Sequence, residues 1–177
     1  MEDVRQVDVK TSSAELYYSL EKLVALHRNL VDLLREEYSH MAAVDLVGVA
    51  DTARAKEVIL ADVWSFEQLR IGCATKLAAA LNLESEEASL LKIAERLTVS
   101  EGEKLRAMRT SLNLLVLQAK ELNLKNMGFA QSSLARIEAM KKNALGLSNT
   151  AKKENYSNSG VRQPIAEQGG RLLSTEA

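Results

Sequence analysis

Glu37 and His40 stand three positions apart in a helix-forming stretch, the half-site spacing of a di-iron carboxylate centre. On a helix both side chains share one face, so an oxygen and a nitrogen donor could converge on one metal. A complete centre needs a second Glu-x-x-His and two further glutamates. The other histidine, His27, has Val24 three positions before it, and the set is incomplete. Cys73 is the lone cysteine and lies in a helical repeat, where a thiol reads as a small buried hydrophobe that forms no internal disulfide. No glycine-rich phosphate loop, nucleophile elbow or Cys/His zinc spacing occurs. The expectation is a protein that is not an enzyme and has no catalytic, cofactor-binding or metal residues. His27 then reads as a polar break in a helical seam, and His40 as a solvated residue near a turn.

The elements that carry these residues read as long helices. Apolar residues return every three or four positions to about Gly146, and the single proline, Pro164, falls beyond that point. Only 4% of the 177 residues are aromatic, unlike a sheet protein. With 23 basic and 24 acidic side chains the net charge is -1, so no bulk positive field draws nucleic acid or an anionic membrane. No stretch approaches the ~20 apolar residues that insert into a bilayer. MEDVRQVDVK at the N-terminus has neither the basic nor the apolar region of a signal peptide. These features, with the single cysteine, lead to the expectation of a cytoplasmic protein.

Residues 1 to about 11 read as frayed, and Thr11, Ser12 or Ser13 as the cap of a first helix with Glu15 in its opening turn. Its seam is Leu16, Leu20, Leu23, His27, Leu30, Leu34, Glu37 and Met41. Asp45 caps a second helix that runs to about Leu81, with Gly48 lowering helix propensity in its first turn. A short connection between two such helices predicts an antiparallel hairpin. A third helix is expected over 85–97. The stretch Ser100-Glu101-Gly102-Glu103 reads as a capping box that opens the last helix, with Ser100 as cap and Glu103 reaching back. Leu114, Val116, Leu117 and Leu124 make the first half of that helix apolar on several sides, which predicts that this half is the more deeply buried and that the second projects. Its second half narrows to Leu134, Ile137, Met140, Ala144 and Leu145.

The fold class is therefore all-α: a long antiparallel helical hairpin or coiled-coil bundle with a short third helix, a long last helix and a flexible C-terminal tail. Residues 1–147 form the bundle and residues 148–177 a recognition tail, in which Tyr156, Ile165, Leu172 and Leu173 are the isolated apolar positions. Four polar residues interrupt the seams: Lys56, Arg70, Asn123 and Asn126. The plain reading packs the stems of Lys56 and Arg70 along the seam with their heads toward water or Glu37. A sharper one makes them register pins or contacts for an acidic partner. Seam asparagines set register at some cost in stability.

Several of these pieces recur in order: Lys56-x-x-Ile59-Leu60, Val63, Glu67 and Arg70, then Asn123-x-x-Asn126-x-x-Phe129 leading into Leu134 and Ile137, then Tyr156 and Gly160. That order resembles the FlgN-like flagellar export chaperones, over about residues 16–160. The resemblance implies a non-catalytic cytoplasmic chaperone. It would bind C-terminal helical segments of hook-associated proteins, prevent their premature association and deliver this cargo to the flagellar type III export gate. It further implies that cargo contacts fall toward the C-terminal part, and that a tail tyrosine, here Tyr156, helps dock on the gate. Ser157-Asn158-Ser159 between that tyrosine and Gly160 is less charged than the family's pattern. Independently of the resemblance, the narrow stripe at Leu134, Ile137, Met140 and Leu145 has little internal partner surface, which suits docking of an amphipathic helix. Ile165, Leu172 and Leu173 could order over the same surface. The alternatives are a structural coiled-coil adaptor that self-associates as a homodimer and, behind it, a ferritin-like metal enzyme.

Overall fold

The computed structural model describes residues 2–83 and 89–145. Among them the regular elements are helices: α1 (Glu2–Ala42), α2 (Leu46–Ala80), α3 (Leu90–Arg96) and α4 (Val99–Ala144). The chain divides into two compact units, residues 1–127 and 128–177, the boundary falling within α4.

α1 begins earlier than its serines suggest. No cap forms at Thr11, Ser12 or Ser13, because the helix already runs from Glu2, and Ser13 is a buried mid-helix residue at 4% exposure. Residues 2–11 contain no glycine or proline, and Val9 packs on the core, so burial carries the helix past residues that would otherwise favour a cap.

The reversal between α1 and α2 takes only residues 43–45. Val44 adopts a left-handed φ of 58°, its N–H donates to the Met41 carbonyl, and the Asp45 N–H donates to the His40 carbonyl at 2.9 Å. This pair of bonds closes the end of α1 in the Schellman manner. Asp45 then opens α2, its carboxylate accepting from the Gly48 N–H at 3.0 Å. Asp45 also holds His40 Nδ1 at 2.9 Å, so His40 is half-buried against the turn rather than free in solvent. That ring lies over Gly48: a Cβ there would meet the imidazole and displace it from Asp45. α2 ends in a second Schellman closure, with Asn82 at φ 56° and the Leu83 N–H on the Ala78 carbonyl at 2.9 Å.

α1 and α2 run antiparallel and close together, with Glu37 beside Lys56 near the turn and Glu15 beside Cys73 toward the other end. α3 is capped by Ser89, whose hydroxyl accepts from the Lys92 N–H at 3.3 Å; the helical start expected at Ser85, with Glu86 and Glu87, lies outside the described residues. The opening of α4 differs from the expected capping box by two positions. Thr98 takes the cap role: its hydroxyl accepts from the Glu101 N–H and donates to the Glu101 carboxylate at 2.7 Å. The Gly102 N–H makes the first turn's bond to the Thr98 carbonyl at 2.8 Å. Both Thr98-x-x-Glu101 and Ser100-x-x-Glu103 satisfy the motif, and packing selects the first. A Cβ on Gly102 would clash with the Ala94 carbonyl oxygen, so α3 and α4 meet over that glycine.

Two apolar clusters form the interior of the first unit. One gathers Leu16, Leu20, Cys73, Leu77, Ile93 and Leu105 with their neighbours. The other gathers Leu30, Val31, Leu34 and Ala119, with Ile59, Leu115 and Leu122 against it. Leu16, Leu20, Leu77, Ile93 and Leu105 are all at most 1% exposed. At roughly 1.5–3 kcal/mol per fully buried aliphatic side chain, such contacts dominate the stability of this unit. Cys73 belongs to the first cluster; burial, then the facing Glu15 carboxylate, raises its thiol pKa. Tyr17 ties α1 to α4, its hydroxyl donating to the Glu101 carbonyl at 2.8 Å. Burial, and then Glu101, raises the Tyr17 pKa, keeping that donor protonated.

Candidate functional site

The polar residues of the seams meet chiefly at one carboxylate. Glu37 of α1 accepts from Lys56 Nζ of α2 through Oε1, and from Asn126 Nδ2 of α4 at 2.9 Å through Oε2. Asn126 also donates to the Leu34 carbonyl at 2.8 Å and is 4% exposed. Its Oδ1 has no hydrogen-bond partner among the described residues. One carboxylate thus links three helices, and both its oxygens are occupied by nitrogen donors. Glu37 and His40 are therefore committed to different partners. His27 spends Nδ1 on the Leu23 carbonyl at 2.8 Å within its own helix.

Arg70 and Asn123 occupy different surroundings. Arg70 pairs with Glu67 one turn earlier on α2, through Nε at 2.8 Å and through Nη2. Those hydrogen bonds lower the Glu67 pKa and raise that of Arg70. Asn123 is exposed and lies outside the seam that Asn126 occupies. Three positions turn a helix by about 300°, so the two amides do not coincide on the face.

Between the two apolar clusters an open cavity of about 350 Å³ lies among α1, α2, α3 and α4, lined in part by His27, Glu67, Arg70, Arg109, Leu112 and Val116. Arg109 has no acidic partner among the described residues. No reading of isolated motifs locates this cavity, because its charged residues come from three helices.

The buried residues of α4, Gly102, Leu105, Ala119 and Asn126, all lie before Leu134, where its narrow second half begins, but that burial is one-sided. Val116 is half-buried, but Leu114, Leu117 and Leu124 are each 62% exposed. A helix packed on neighbours along one side keeps its far side in water whatever that side carries. On α2, Leu60, Trp64 and Ile71 are likewise exposed. Their spacing of four and seven is visible in the chain as a second line beside the main seam.

In the second unit, the expected partner-binding residues on α4 and just after it lie in solvent. Leu134 is 58% exposed, Ile137 62%, Met140 70% and Leu145 61%. Leu134, Ile137 and Met140 follow at intervals of three, so neighbours in the row lie on adjoining parts of one face. Tyr156, Ile165, Leu172 and Leu173 lie outside the described residues. No described helix is long and apolar enough to cross a membrane.

No curated protein and no solved structure matches the chain. The family model described as FlgN protein does match, over residues 12–164. That span takes in all of α2, α3 and α4 and all but the opening of α1, and the chain belongs to the FlgN family.

Proposed function

We propose that this protein is a non-catalytic flagellar export chaperone acting in the cytoplasm. It binds the C-terminal helical segments of hook-associated proteins and delivers them to the type III export gate. The observation that carries this reading is the exposed row Leu134, Ile137 and Met140, with Leu145 after it, in a chain of the FlgN family. An amphipathic helix docks through anchors at intervals of three and four, and that exposed row offers it an apolar strip on the host. Isolated exposed leucines are ordinary, but three large apolar side chains, each about 60° round the helix from the last, form an oblique strip suited to a partner. In this reading residues 148–177 form a recognition tail: Ile165, Leu172 and Leu173 close over bound cargo, and Tyr156 contacts the gate.

The test is calorimetry of the purified protein against a hook-associated protein's terminal helices, with Leu134, Ile137 and Met140 replaced together by alanine. Loss of at least tenfold in affinity with an unchanged melting curve is expected; wild-type affinity would overturn the placement of the site. A pull-down from flagellated cells, with and without the residues after Gly146, separates the tail's role from that of the helix. Replacing Tyr156 by alanine should leave cargo binding intact and reduce retention on the gate.

A further inference from the structure

The open cavity of the first unit is built on two helix faces. Arg109, Leu112, Asn113 and Val116 follow the spacing of one side of α4, and Val63, Glu67 and Arg70 that of one side of α2. α1 adds His27 and α3 adds Leu90. At about 350 Å³ the cavity falls within the roughly 300–1,000 Å³ of small-ligand clefts. We infer that it binds a singly charged carboxylate carried on an apolar body, with Arg109 as the counter-ion.

The lining has one charge and several donors to spare. Arg70 commits Nε and Nη2 to the two oxygens of Glu67, so that pair is neutral within itself. Arg109 is half-buried and has no hydrogen-bond or ion-pair partner among the described residues, nor has the Asn113 side chain one turn on. His27 gives Nδ1 to the Leu23 carbonyl of its own helix. With His27 neutral, a single positive charge is left over. It sits on a planar fork that matches a carboxylate through two parallel N–H bonds. A dianion such as phosphate fits less well, since its second charge finds no counter-ion beside Glu67. Val63, Leu90, Leu112 and Val116 supply apolar walls that a bare anion would leave unused. The ligand that meets both features is an aliphatic or aromatic carboxylate, supplied as a free acid or as the glutamate side chain of a partner segment. None of these residues belongs to the row assigned to cargo, so the site stands or falls apart from the export reading.

The probe is hexanoate, titrated into the full-length protein and followed by calorimetry and by the side-chain N–H signals of Arg109 and Asn113 in nitrogen-15 spectra. Saturable millimolar binding that shifts both signals is expected. Acetate, which lacks the tail, and hexanol, which lacks the charge, should each bind at least tenfold more weakly. Arg109→Gln should weaken hexanoate at least tenfold with helical content and melting point unchanged, and Arg109→Lys should retain part of the affinity. A blocked leucyl-glutamyl-leucine peptide separates the two sources: tighter binding than hexanoate identifies a partner's side chain, weaker binding a free acid. Absence of saturation, equal affinity for hexanol, or indifference to Arg109→Gln overturns the proposal. So does at least tenfold tighter hexanoate binding once Glu84→Gln, Glu86→Gln and Glu87→Gln are combined, because the anion on Arg109 would then be the chain's own.

Discussion

Glu37 shows how much can depend on one side chain. Lys56 and Asn126 both donate to it, from two other helices, and the Glu37 and Lys56 side chains are 13% and 18% exposed. A pair so enclosed costs more to break than an exposed one, because the survivor keeps its charge without its partner. Lys56→Met should therefore lower stability in urea by about 1–3 kcal/mol. Adding Glu37→Leu should recover part of that loss, since it removes the orphaned charge, although it leaves Asn126 with one acceptor fewer. If the two losses simply add, the pair is not coupled. Lys56 and Glu37 were legible as polar positions in two facing seams. The Asn126 bond to the Leu34 carbonyl was not, because a backbone acceptor has no signature in the side-chain pattern. Nor was Arg70's preference for Glu67 on its own helix over a partner across the seam.

Among the helices, ends were harder to read than middles. Asp45 was legible as a cap because Gly48 and the preceding weak stretch leave few other choices. The start of α1 was not, since three hydroxyl residues mimic a cap in a helix that tertiary contacts extend. The start of α4 offered two overlapping boxes, and the one used is Thr98 with Glu101. Thr98→Ala should cost about 1 kcal/mol in thermal or urea unfolding. Ser100→Ala should change stability by less than about 0.5 kcal/mol, its hydroxyl lying past the cap. Equal losses would mean that the box is shared. Which leucines of α4 face water was not legible for a related reason. Apolar count measures how much of a helix could be buried, but neighbours decide how much is.

For the molecule as a whole, the interior and the proposed recognition surface draw on different leucines and isoleucines. Leu77 is fully buried in the first cluster, whereas Ile137 stands 62% exposed in the second unit. Leu77→Ala should destabilise by about 2–5 kcal/mol. Ile137→Ala should fall within about 0.5 kcal/mol of the parent. Denaturant midpoints check both, and a large loss at Ile137 would show that it has an internal mate after all. A further feature of the architecture acts at the tip of the α1–α2 hairpin. Residues 43–45 are all that separate the helices, and Asp45 closes one while opening the other. No segment there can extend into a protease cleft, so this tip resists nicking, and any inserted residue must undo a closure on one helix or the other.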